Sequence, residues 1–261
     1  MPDKTLLTVE HLQKSYGDFE ALRDISFAAG SGELVCIVGP SGCGKTTLLK
    51  LIAGLLTPSG GVVELDGAPV TGPRRGMAVV FQEYGRSLMP WMTVRGNVEL
   101  PLRSTTTKAI RRQKSQAALE AVGLDGAANK YPWQLSGGMQ QRVAIARAVA
   151  YDPEILVMDE PFAAVDAQTR ADLEDLVRDL WAKLSVTVLF VTHDIDESIY
   201  LGQRVIVLSM SPTVVQEDLV IDLPRERDQI TTRALPRFTE LRTHVYREIQ
   251  AAKRGAGKGE L

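Results

Sequence analysis

At 261 residues, 44% hydrophobic and 24% charged, the chain is long enough to bury a full core and is neither fibrous nor compositionally disordered. Its formal net charge of −2 lacks the basic excess of a non-specific nucleic-acid binder, so no nucleic-acid partner is expected. No apolar run reaches the ~18 residues that a membrane-spanning helix needs.

The first residues, Met1-Pro-Asp-Lys-Thr5, lack the charged-then-apolar pattern of a secretory leader. Residues 5–35 alternate loosely between apolar and polar, with turn signals at Tyr16-Gly17 and Gly30-Ser-Gly32. They read as an antiparallel β region with Thr8-Val9 and Ile25-Ser-Phe27 in its strands. Tyr16 admits two readings: a turn aromatic, or a flat ring that stacks on a purine base.

Leu34-Val-Cys-Ile-Val38 is short, apolar and partly β-branched, as in a buried parallel strand. Thr47-Leu-Leu-Lys-Leu-Ile-Ala53 has good helix formers and ends at Gly54, a plausible residue just past a helix terminus. Between them lies Gly39-Pro-Ser-Gly-Cys-Gly-Lys45-Thr46, which fits the phosphate-cradling pattern G-x-x-x-x-G-K-[ST]. Glycines let backbone N–H groups turn inward, and a helix N-terminus adds partial positive charge for phosphate oxygens. In that pattern Lys45 reaches the β- and γ-phosphates, and the Thr46 hydroxyl ligates Mg²⁺. Cys36 and Cys43 make no disulfide framework and fit a reducing compartment. Cys43 sits at a helix start, where a thiol pKa tends to fall, and reads as a tolerated small residue.

Gly60-Gly-Val-Val-Glu-Leu-Asp-Gly67 reads as a hairpin with a strong Asp-Gly turn, and Met77-Ala-Val-Val-Phe81 as a core strand delivering Gln82. Residues 84–150 then change character. Thr93 caps a short helix that Pro101 disturbs or ends, and Lys108–Val122 is helical. Its early Lys108, Arg111, Arg112 and Lys114 read as a solvated face. The whole stretch looks like a helical subdomain inserted into an α/β core.

In Leu135-Ser-Gly-Gly-Met-Gln-Gln-Arg142, Ser136 is a helix N-cap, and Gly137 and Gly138 leave backbone N–H groups open to an anion. The chain thus carries two helix starts suited to phosphate. If one nucleotide fills the first, the second is without a partner unless another copy of the chain supplies one. Ile155-Leu-Val-Met158 is a further apolar strand, ending in Asp159-Glu160. Acidic residues at such a strand end are placed to assist a metal (Asp159) and to orient a water as base (Glu160). Asp166 caps an amphipathic helix carrying Leu173, Leu176, Val177, Leu180 and Leu184. Val186–Val191 delivers His193, followed by an Asp194-x-x-Glu197 helix start and a helix closing at Gly202. A histidine there is placed to hydrogen-bond a γ-phosphate. Arg204–Leu208 reads as the last core strand. A tail helix over Thr239–Ala252 sets Leu241, Val245 and Ile249 on one side, enough to dock but not to bury fully, and residues 255–261 read as disordered.

Taken together these residues resemble the ATP-binding cassette ATPases over about residues 5–222. The motifs, in order, are the adenine-side aromatic Tyr16, the Walker A loop from Gly39 through Pro40, Ser41, Gly42, Cys43, Gly44 and Lys45 to Thr46 and Thr47, and Gln82 of the Q-loop. The signature Leu135-Ser-Gly-Gly-Met-Gln140, the Walker B run ending Asp159-Glu160, the D-loop Asp166 and the switch His193 follow. Walker A alone is shared by many NTPases; its pairing with the signature is far more specific. One departure is Ala163-Ala-Val-Asp166, where the family more often reads Ser-Ala-Leu-Asp.

The resemblance implies a RecA-like P-loop NTPase core with an N-terminal antiparallel β subdomain, the helical signature subdomain at 84–150 and a helical extension at 223–254. It implies ATP and Mg²⁺, with Glu160, His193, Gln82 and Lys45 catalytic and Thr46, Gln82 and Asp159 at the metal. Ser136, Gly137, Gly138, Gln140 and Asp166 would act on a nucleotide held by a second protomer. Gly85-Arg-Ser-Leu-Met-Pro-Trp91 and the tail are similar to ATPases of nitrate, sulfonate and taurine importers. Expected partners are therefore a second ATPase protomer, membrane permease subunits and, indirectly, a substrate-binding protein, with the chain peripheral at the cytoplasmic face.

Overall fold

The computed structural model describes residues 4–256. In chain order the strands are β1 (Thr5–Tyr16), β2 (Phe19–Gly30), β3 (Leu34–Val38), β4 (Gly60–Leu65), β5 (Ala68–Pro69), β6 (Met77–Val80), β7 (Ile155–Asp159), β8 (Thr187–Val191), β9 (Arg204–Leu208) and β10 (Thr213–Val220). The helices are α1 (Lys45–Ile52), α2 (Tyr84–Ser87), α3 (Val94–Glu99), α4 (Lys108–Ala121), α5 (Gly137–Val149), α6 (Ala167–Leu184), α7 (Ile195–Leu201) and α8 (Pro236–Ala256).

Strands β3, β7 and β8 are buried at every position and pair in parallel, as expected of apolar runs covered on both faces. Their alternation divides the interior. Val35, Ile37, Val157 and Leu189 pack toward α1 and the β1–β2 hairpin, in a core with Leu48, Leu49 and Ile52. Leu34, Cys36, Met158 and Phe190 pack on the other side, with residues of α5, α6, α7 and α8. The sheet thus separates two cores, and the carboxyl ends of β3, β7 and β8 open at one rim. That rim is where an open α/β sheet binds ligands.

All ten strands form one sheet, in the order β5-β4-β1-β2-β10-β9-β3-β8-β7-β6. The join is made by β10, antiparallel to β9 and parallel to β2, with Thr213 opposite Leu22. Sequence reading ended the core strands at Leu208 and did not anticipate β10. Asp66 and Gly67 turn the β4–β5 hairpin at φ 51° and 69°, the left-handed pair that its Asp-Gly demands.

Helices α2 to α5 lie between β6 and β7, with α3, α4 and α5 capped by the side chains of Thr93, Thr107 and Ser136. α3 stops at Glu99, and Pro101 lies in the following tight turn. The basic cluster on α4 is only partly a solvated face. Lys108 and Arg112 are exposed, whereas Arg111 reaches Glu99 at 3.6 Å and Lys114 pairs with Asp152.

The tail departs most from expectation. α8 is longer than Thr239–Ala252, and Leu241, Val245 and Ile249 are buried, at 2%, 0% and 8% exposure. The cause lies in the preceding loop. The Arg227 guanidinium donates to the carbonyls of Ile199, Tyr200 and Gly202 at 2.7–2.9 Å, which satisfies the open end of α7. Arg233 pairs with buried Glu174 at 2.6 Å. These charge-assisted bonds clamp the loop to α6 and α7 and draw α8 onto the core. Gly255 and Ala256, expected to be disordered, close α8; residues 257–261 lie outside the described residues.

Candidate nucleotide-binding and catalytic site

The loop from Gly39 to Gly44 leaves β3 and enters α1 at the rim described above. Gly44 has φ +91°, a left-handed conformation that favours glycine, and a Cβ there would lie 3.0 Å from Leu22 Cδ2, leaving little room for a side chain. The hydroxyl of Thr213, on β10, donates to the Cys43 carbonyl and braces the loop from the side. Cys43 is itself fully buried, and burial raises its thiol pKa despite the nearby Lys45. The helix-start rule predicts the opposite direction; desolvation outweighs it here.

Lys45 is buried, its ammonium donating to Gly39 O at 3.0 Å and Pro40 O at 3.1 Å, with Glu160 Oε1 at 3.9 Å. Thr46 Oγ1 donates to Asp159 Oδ1 at 3.3 Å. Asp159 is buried at the end of β7, and that burial raises its pKa, with the Thr46 bond opposing. A hydroxyl and a costly buried carboxylate make an oxygen donor set that fits a hard divalent cation such as Mg²⁺.

Glu160 follows at φ 42°, a left-handed conformation unusual for a side chain of this type, held by its N–H donating to Val191 O at 2.8 Å. Its Oε2 lies 2.9 Å from His193 Nδ1, at the end of β8. With the carboxylate ionised, Nδ1 carries the proton in that bond, and Nε2 is the nitrogen left for a ligand. Ser41, Gly42, Gly44, Lys45, Thr46, Thr47, Glu160 and His193 line one cleft of about 550 Å³. The structure thus gathers the predicted loop, base and histidine around one opening.

Other predicted residues stand outside that lining. Tyr16 is half exposed at the hairpin tip, with the Lys14 ammonium 5.1 Å from its ring centroid. Gln82 is exposed just beyond β6, whose Val80 pairs with Met158, next to Asp159. Ser136 caps α5 by accepting the Met139 N–H at 3.3 Å. The Gln140 amide donates to Pro132 O and Leu135 O, so it bonds to its own loop. A Cβ on Gly138 would lie 2.4 Å from Thr169 Cγ2, which sets the start of α5 directly against the first turn of α6. Asp166 caps that turn, accepting from the Thr169 N–H at 3.0 Å and hydroxyl at 2.7 Å, bonds that lower its pKa.

Beneath His193, the side chain of Glu197 is buried and accepts a hydrogen bond from Thr192; burial lifts its pKa to about 8, with Glu174 and Asp194 raising it and Arg170 lowering it. The folded chain therefore holds a proton there that the unfolded chain releases above its ordinary value of 4.5. Stability contributed by this group is fully present below pH ~4.5 and falls as pH rises toward ~8. Glu197→Gln is expected to remove that slope, so its stability relative to wild type improves between pH 5 and pH 8 by ~2–4 kcal/mol. Urea unfolding at both pH values measures this; parallel curves would contradict it.

The ABC transporter family model matches residues 22–163. The chain belongs to the ABC transporter family. It is similar to the nitrate import ATP-binding protein NrtD of Synechocystis, at 46% identity over 213 residues covering 81% of this chain and 79% of that protein. The taurine import ATP-binding protein TauB of Yersinia pestis matches at 46% over 218 residues, covering 83% and 85%. Among solved structures, the dimeric ATP-binding cassette MJ0796 in a post-hydrolysis state with ADP and Pi aligns at 33% identity and a TM-score of 0.71. It covers 83% of this chain and 99% of that one. The protein is therefore an ABC ATPase with the P-loop NTPase fold. Sequence reading missed two supports of that site, Thr213 and Arg170. The first lies on the unanticipated strand, and the second is paired across 24 positions with Asp194.

Proposed function

We propose that the chain is the ATP-hydrolysing subunit of an importer for small anionic or zwitterionic solutes of the nitrate, sulfonate and taurine kind. It works as a head-to-tail homodimer on the cytoplasmic face of the membrane, beneath permease subunits that a substrate-binding protein supplies. The ATPase unit spans 5–222, with the helical subdomain at 84–150 contacting the permease and the 223–254 extension docked on α6 and α7.

One observation carries the dimer: the start of α5 at Ser136–Gly138 packs against α6, away from the residues that line the Lys45 cleft. The Gly137 and Gly138 N–H groups then face a nucleotide only when a second copy presents one, and Asp166 beside them meets the same partner. The importer assignment draws on the nitrate and taurine relatives and on Met89-Pro-Trp91, where Trp91 is 73% exposed.

In this reading the loop N–H groups and Lys45 hold the β- and γ-phosphates, and Tyr16 stacks on adenine. Glu160 accepts a proton from water as its oxygen attacks the γ-phosphorus and the β–γ bridging oxygen leaves with ADP. His193 Nε2 holds the γ-phosphate, and Gln82 relays its presence to the helical subdomain. Thr46, Asp159 and Gln82 would hold Mg²⁺, which neutralises charge on the phosphates.

A cysteine at Trp91 tests the assembly, since Cys36 and Cys43 are buried and will not compete for reagent. In membranes from cells expressing Trp91→Cys, a bifunctional thiol–amine reagent is expected to join the chain to an integral membrane subunit. Recovery of the chain only from the soluble fraction, with no such product, would replace the importer by a non-transport cassette ATPase.

A further inference from the structure

Asp194 stands between the two halves of the catalytic rim. Its Oδ1 accepts the Glu197 N–H at 3.1 Å as the cap of α7, and its own N–H donates to Thr192 Oγ1 at 3.0 Å. Its Oδ2 accepts from Arg170 Nη1 at 3.2 Å. Arg170 lies in the first turn of α6, where its backbone N–H donates to Asp166 O at 2.9 Å. Next to Asp194 in the chain is His193, bonded to Glu160. A continuous path of bonded groups therefore runs from Asp166, at the surface, to the base in the cleft.

A second observation bears on how that path moves. Arg170 Nε is buried with no hydrogen-bond partner among the described residues. Arg170 also lines a small cleft together with Glu160, Ala163, His193, Asp194 and Glu197. The cleft holds about 10 Å³ for a solvent centre, roughly the space of one water. A buried guanidinium N–H left unsatisfied costs free energy that a rearranged partner would recover. The rim thus places a strong donor between the Ala163–Asp166 loop and the catalytic pair.

We propose that Arg170 and Asp194 are positioning residues that couple the Ala163–Asp166 loop to the Glu160–His193 pair. Docking of a second copy on that loop shifts the first turn of α6. Arg170 carries the shift to Asp194, and Asp194 sets His193 against Glu160. The inference rests on the reading that Glu160 and His193 act at the γ-phosphate. Binding of ATP to one chain does not involve the coupling; turnover does.

Steady-state ATP hydrolysis by the full chain, at protein concentrations where specific activity has levelled off, tests this with Arg170→Met, Arg170→Lys, Asp194→Asn and the Arg170→Met/Asp194→Asn pair. Asn keeps the α7 cap and Met keeps the Arg stem packing, so folding is retained in both. Each of these two single variants is expected to lose about 10-fold or more in kcat with KM within about twofold, and the pair to lose no more than the worse single. Arg170→Lys is expected to recover part of the loss, because an ammonium still reaches Asp194 but not as a fork. A kcat within about twofold of wild type, a KM that rises in step, or losses that multiply in the pair would each overturn the coupling. Glu160→Gln serves as the separate control. If it turns over normally the reading of the catalytic pair is wrong, whereas its inactivity beside normal Arg170 variants removes only this inference.

Discussion

Lys45→Ala is expected to reduce ATP affinity or turnover by about 10²–10⁴-fold, the largest loss of any single substitution in the loop. Hydrogen bonds to charged groups contribute about 1.5–3 kcal/mol each, and Lys45 is placed to supply two, to the β- and γ-phosphates. The ammonium is already desolvated, so little burial cost is added on binding, and it now donates to Gly39 O and Pro40 O. Alanine removes the charge and frees both carbonyls, leaving a cleft whose remaining titratable lining groups, Glu160 and His193, do not replace the cation. Two measurements check it. Phosphate release at saturating Mg-ATP reads turnover. Thermal unfolding with and without ATP reads binding, because a ligand at ~100 times its Kd stabilises by ~2.7 kcal/mol. Wild type is expected to gain that shift and the variant to lose it. Near-normal turnover together with a full shift would sink the assignment of the loop.

What the sequence makes legible here is local. The Gly39–Thr46 loop, the carboxylates after β7 and the histidine after β8 are each encoded by contiguous residues, and parallel pairing of three wholly apolar strands brings their ends together. Helix caps at Thr93, Ser136, Asp166 and Asp194 are likewise written within four positions of their partners. Non-local contacts were not legible. β10 alternates poorly because Gln216, Glu217 and Asp218 interrupt it, and its partners Leu22 and Leu208 come from opposite parts of the chain. Nothing local in the tail marks Arg227 as a partner of α7, yet it closes that helix, and burial pushes its pKa down to about 10. Cys43 obeyed burial over position. Gly138 looked like an anion-binding glycine, and in this fold it is also the only residue type that clears Thr169.

Glu160→Gln is the substitution expected to separate binding from chemistry. Glutamine matches the side chain in volume, keeps an oxygen for the His193 Nδ1–H, and leaves the Glu160 N–H bond to Val191 O in place. It cannot accept a proton from water, so turnover is expected to fall by about 10²–10⁴-fold. Affinity should hold or improve, because a negative charge that faces the γ-phosphate beside Asp159 is gone. Closure then has no exit. If the α5 start of one chain completes the nucleotide site of another, each ATP is held between two chains, and a variant that binds without hydrolysing accumulates the closed form. Light scattering of Glu160→Gln is expected to report the 28.5 kDa chain without nucleotide and twice that mass with Mg-ATP. Adding Ser136→Arg to the same chain places a long cation where the γ-phosphate would enter and should abolish the doubling while ATP still binds. Weak self-association outside the membrane complex is handled by repeating the measurement on the assembled transporter, where the readout is crosslinking between engineered cysteines at Ser41 of one chain and Ser136 of its partner. A variant saturated with ATP that stays monomeric alone and gives no such crosslink in the complex would refute the shared site.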